Sequence, residues 1–115
     1  MSNPGVAVVV TEEEAVRRVL TTTLEQEGWA VLCLEDGGEL FDFMEFISEH
    51  PNVRGVPRLI VADANVPGPS VFEVVAWSRL KGFDVPFVVF TEDQDVNARQ
   101  LAKALGAVEV GASAA

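Results

Sequence analysis

The sequence predicts an α/β fold: a doubly wound parallel sheet of five short strands with helices on both faces. Three observations carry that expectation. β-branched apolar runs alternate with stretches whose apolar residues recur every three or four positions. The runs are unbroken, as strands covered on both faces require. The recurring unit is strand then helix, and right-handed crossovers then place helices on both sides of the sheet.

The first strand is VAVVV, Val6–Val10. Val16, Val19, Leu20 and Leu24 follow at helical spacing, and Gly28 stops that helix. WAVLCL, Trp29–Leu34, reads as the second strand, and Leu40, Phe41, Met44 and Ile47 form the stripe of the next helix. RLIVA, Arg58–Ala62, is the third strand and runs into Asp63. The loop NVPGPS leads into a helix over Val71–Leu80, with Ser70 and Glu73 spaced as a capping box. PFVVF, Pro86–Phe90, is the fourth strand and ends at Thr91. Asp95 can cap a helix with the apolar face Ala98, Leu101, Ala102 and Leu105, stopped by Gly106. AVEV, Ala107–Val110, is the fifth strand. Five such strands in a short chain suit the flavodoxin-like order 2-1-3-4-5. Nothing after Val110 can form a fifth helix, so residues 1–115 are expected to be a single domain, the N-terminal piece of a longer protein.

Composition narrows the function classes. A chain of 115 residues is one domain in length, and 49% hydrophobic content is enough for a core. Eight Lys and Arg against 18 Asp and Glu give a formal charge of −10, which argues against direct nucleic-acid binding. The apolar runs are far shorter than the ~18 residues of a membrane helix. The start MSNPGV lacks the basic-then-apolar build of a secretory signal. One cysteine, Cys33, and one histidine, His50, exclude an internal disulfide and a His/Cys zinc cluster. A reducing, cytoplasmic setting is the expectation.

In open parallel sheets, ligands bind outside the carboxyl ends of the strands. Those ends carry Thr11, Glu12 and Glu13 after the first strand, Asp63 after the third and Thr91 after the fourth. Carboxylates with no thiol or imidazole make a hard oxygen site that suits Mg²⁺. The first strand is followed by glutamates rather than a glycine-rich turn, which counts against a nucleotide or flavin. The same acids are also an ordinary helix start, with Thr11 as cap and Glu14 closing a capping box. Capping leaves Glu12 available, so the two readings are compatible. Cys33 reads as a small buried hydrophobe, His50 as a solvated loop residue and Trp77 as a partly exposed helix residue.

LIVADANVPG resembles the phosphoacceptor segment of bacterial response-regulator receiver domains, a hydrophobic strand followed by D-x-N-x-P-G. EGWAV, EVV in the following helix, FTED at the fourth strand and ALGA before the fifth fall at that family's spacings. The resemblance spans nearly the whole chain to Val110. It implies that Asp63 accepts a phosphoryl group from a histidine kinase or phosphotransfer protein. It also implies that Glu12, Asp63 and the backbone carbonyl of Asn65 hold Mg²⁺, and that Thr91 is the switch hydroxyl. An output domain or partner protein would read the change, and the domain would not be a free-standing enzyme. A homodimer is a further expectation if strands stay uncovered at the C-terminal end.

Several positions depart from the family pattern. Thr11 stands where the first acid of a pair is usual, and Glu12 replaces the commoner aspartate. Glu92 follows the switch position, where a small residue is usual, and Val110 replaces an aromatic. The family's lysine falls near Ser113, and no lysine lies beyond Glu109. These departures favour the alternative of a phosphorylation-independent pseudo-receiver that acts as a protein-interaction module.

Overall fold

Valine-rich segments that cannot alternate polar and apolar faces need cover on both sides, and the sheet supplies it. The computed structural model describes residues 4–50, 56–91 and 108–111. The elements are β1 (Val6–Val10), α1 (Glu14–Gln26), β2 (Ala30–Leu34), α2 (Gly37–Glu49), β3 (Pro57–Asp63), α3 (Val71–Leu80), β4 (Phe87–Thr91) and β5 (Val108–Gly111). All strand pairings are parallel, in the order β2-β1-β3-β4-β5. The predicted fold class and strand order are those observed. The helix expected after Asp95 lies outside the described residues, as do Glu92 and Ser113.

The two faces of the sheet are unequally covered among the described residues. On one, Val8, Val10, Ile60, Ala62, Phe87 and Val89 meet Leu40 and Met44 of α2 and Val71, Val74 and Val75 of α3. On the other, Ala7 and Val9 meet Leu24 of α1, with Leu20, Trp29, Val31 and Leu59 partly buried around them. Burial of a core valine or leucine removes enough apolar surface to stabilise by about 1.5–3 kcal/mol, so the first face carries most of the described core.

Four local expectations fail, each for a physical reason. Cys33 is exposed rather than buried, because β2 is the outer strand of the sheet. Its thiol lies 3.4 Å from the Thr21 hydroxyl. Val19 is 54% exposed, so the packed stripe of α1 narrows to Leu20 and Leu24. The N-cap of α1 is Glu13 rather than Thr11, without a side-chain cap bond, and Thr11 is turned inward instead. Ser70 does cap α3, but its hydroxyl accepts the N–H of Phe72 rather than Glu73 (3.1 Å), a tighter turn than a capping box.

His50 is exposed and closes α2 as its C-cap, with Nδ1 2.9 Å from the Phe46 carbonyl and its ring stacked on Phe46. Trp77 is half-buried and meets Phe41 edge to face at 5.0 Å between centroids. Both agree with their sequence readings.

Candidate functional site

Asp63 is the last residue of β3, where an unbroken apolar strand ends in an acid. Its backbone pairs with Phe90 in the ladder, and the N–H of Ala64 donates to the Phe90 carbonyl at 2.8 Å. Asp63 as a residue is only 6% exposed, so its carboxylate needs donors. Oδ1 accepts the Asn65 N–H at 2.8 Å, a bond that also bends the chain sharply after the strand. Oδ2 accepts the Thr11 hydroxyl at 3.4 Å. Each carboxylate oxygen therefore has a donor from the protein itself.

Thr11 comes from the neighbouring strand tip. It is fully buried, its N–H continues the ladder to Leu34 at 3.0 Å, and its hydroxyl accepts the N–H of Glu13 at 3.1 Å. Arg17, one turn into α1, donates from Nη2 to the Thr11 carbonyl at 3.1 Å. This grip holds the turn into α1 against the strand. Glu12, between Thr11 and the helix, is exposed. The structure thus brings Thr11, Asp63 and the Asn65 backbone together and leaves the Glu12 side chain at the solvent-facing margin. Thr91 ends β4 one residue beyond Phe90, the register partner of Asp63. The Thr91 side chain lies outside the described part of the structure.

The donor set can be tested against a divalent ion by its chemistry. Asp63, Glu12 and the Asn65 carbonyl offer hard oxygens, and Mg²⁺ is content with one or two carboxylates, keeping waters or phosphoryl oxygens as its other ligands. Three acids do not converge: no group of three or more His, Cys, Asp or Glu side chains gathers among the described residues. Asp63 and the Asn65 backbone stand together and the Glu12 side chain is exposed beside them, so the donor set offers at most two carboxylates.

One part of the site was not foreseen from the sequence. The loop after Asp63 rests on the start of α2. The Gly37 N–H donates to the Pro67 carbonyl at 2.9 Å, and a Cβ added at Gly37 would lie 1.8 Å from the Pro69 carbonyl oxygen. Gly68, at φ +89°, lets the loop turn over that contact. Asp36 caps α2 through the Glu39 N–H at 2.8 Å. The signal was available: two successive glycines in the first turn of a helix are unfavourable, so some close approach must need them.

With this geometry in place, the known proteins can be compared. A "Probable transcriptional regulator ycf27" of Porphyridium aerugineum is 34% identical over 100 residues, covering 87% of this chain and 38% of its own length. The signal receiver domain of the response regulator NarL from Mycobacterium tuberculosis superposes with a TM-score of 0.78 at 18% identity, over 96% of this chain and 86% of that one. The chain has the fold of the receiver domains of response regulators. The receiver domain of the histidine kinase CKI1 from Arabidopsis thaliana, complexed with Mg²⁺ and BeF₃⁻, gives a TM-score of 0.77 at 18% identity, over 96% and 83% of the two chains. No family model matches the chain. The chain spans 38% of the length of the curated relative above. No helix among its described residues is long and apolar enough to cross a membrane.

Proposed function

We propose that this receiver is a phosphorylation switch in a two-component pathway, with Asp63 as phosphoacceptor. The carrying observation is an aspartate 6% exposed at the ligand edge of the sheet, its backbone in the ladder and each carboxylate oxygen accepting a donor. A carboxylate oxygen of Asp63 attacks the phosphorus of a phosphohistidine or small phosphodonor. An O–P bond forms, the bond to the leaving nitrogen or oxygen breaks, and the leaving group takes the electron pair, an imidazole picking up its proton from solvent and a carboxylate leaving as the anion. Transfer of this kind needs positioning and charge neutralisation more than covalent help from the protein. Mg²⁺, when bound, supplies that neutralisation. Glu12, Asp63 and the Asn65 carbonyl would hold it, and the Mg²⁺ and BeF₃⁻ of the CKI1 receiver domain support this reading. Thr91 is the hydroxyl that would respond to the new charge.

The donor would be a sensor histidine kinase or phosphotransfer protein, and the reader an output domain or partner in the cytoplasm. The chain would be the N-terminal receiver of a longer protein. The domain acts as a signalling element rather than a metabolic enzyme. A homodimer is part of the same reading where strands stay uncovered at the C-terminal end.

Thr11 in place of an acid favours a second reading, a phosphorylation-independent interaction module. One experiment separates the two. The protein is incubated with Mg²⁺ and acetyl phosphate and followed by intact mass, with beryllofluoride and tryptophan fluorescence as a parallel measure. A gain of one phosphoryl group that disappears in Asp63→Asn is the expected result. No gain in the wild-type chain at millimolar Mg²⁺ overturns the switch and leaves the interaction module.

A further inference from the structure

We propose that Thr11 is a positioning residue that substitutes for a metal-facing carboxylate, making the acceptor pocket stable without a cation at the expense of cation affinity. The proposal rests on the reading of Asp63 and Glu12 as the metal-facing acids. Thr11 is fully buried and Asp63 nearly so, and the two side chains face each other across adjacent strand tips. The Thr11 hydroxyl already accepts the Glu13 N–H, which leaves its own proton for Asp63 Oδ2. With the Asn65 N–H on Oδ1, each carboxylate oxygen accepts one bond from an uncharged group.

A carboxylate at position 11 would bring the opposite balance. It would have no proton to donate and would set a second negative charge against Asp63, with Glu12 next in sequence. Like charges at this separation in a poorly solvated place destabilise the pocket until a cation arrives. The same added charge would strengthen the attraction for a divalent ion. Threonine removes both effects together. A site with Thr11 is therefore ordered before Mg²⁺ binds and gains little from binding it.

Two variants of the full 115-residue chain test this, read by Mg²⁺ titration calorimetry and by thermal melting with and without Mg²⁺. Thr11→Asp should melt below the wild type in chelator, recover when Mg²⁺ is added, and bind Mg²⁺ at least about tenfold more tightly. Thr11→Val keeps the shape without the proton, so it should melt several degrees lower at unchanged Mg²⁺ affinity. Thr11→Asp that binds Mg²⁺ no more tightly than the wild type, or melts with it in chelator, overturns the proposal. If Thr11→Asp folds in neither condition, the valine variant decides, and unchanged melting there overturns it. Neither readout involves phosphoryl transfer. A wild-type chain that takes up no phosphoryl group therefore counts against the switch alone.

Discussion

The two strand tips that meet at Asp63 are built on different principles. The tip after β3 is fixed by backbone and packing. Asp63 belongs to the ladder, its carboxylate holds the Asn65 turn, and the following loop lies on Gly37. The tip after β1 contributes one buried neutral hydroxyl and leaves Glu12, Glu13 and Glu14 exposed. The β3 tip supplies a buried charge in a fixed place, and the β1 tip supplies its neutral partner and an exposed acidic rim. A single substitution at Thr11 can therefore change the electrostatics of the pocket while the acceptor stays where it is.

Three measurements would break or sharpen that contrast. Gly37→Ala has the largest expected effect. The added methyl collides with the Pro69 carbonyl, a backbone atom that cannot rotate away. Overpacking of this kind costs about 2–3 kcal/mol, and melting should fall by roughly 10 °C. Melting at the wild-type temperature would show that the β3 tip does not depend on α2. Asp36→Ala removes the cap on Glu39 and should cost about 1 kcal/mol, readable in a urea titration. A full-sized loss of phosphoacceptor reactivity at that modest stability cost would sharpen the link between α2 and the acceptor loop. Glu12→Gln is the smallest. The side chain is exposed, so stability should stay within about 0.5 kcal/mol. Mg²⁺ should bind roughly fivefold more weakly, the loss of about 1 kcal/mol for one solvated charge. Unchanged affinity would mean that the β1 tip supplies no metal ligand at all.

Much of this architecture was legible in the sequence because periodicity reports burial directly. VAVVV, RLIVA and PFVVF announce buried strands, and the step from LIVA to Asp63 marks where apolar cover ends. The pattern does not report tertiary neighbours. Cys33 sits in an apolar run like those of the central strands, and only its place at the sheet margin exposes it. Val19 fits a helical stripe, but the face that α1 covers is too narrow to bury it. Thr11 has the right chemistry for a cap, but its oxygen takes the Glu13 N–H two residues on, its proton goes to the buried Asp63 carboxylate, and the helix begins only after Glu13. At the site itself, Asp63 stood out by residue type and position. The contact between Gly37 and the acceptor loop joins residues 30 positions apart in the chain, 37 and 67, and leaves only the glycine pair as a local trace.

The Asp63 main chain is a rung of the sheet, hydrogen-bonded through to Phe90 in β4. An anchor of that kind cannot travel when its side chain is modified. Under the proposed function, news of the event would leave by rotation of adjoining side groups or by residues past the ladder's last rung, with the scaffold beneath held still. Readers of this molecule's state would accordingly sense a changed surface at one rim of the sheet and not a rearranged frame.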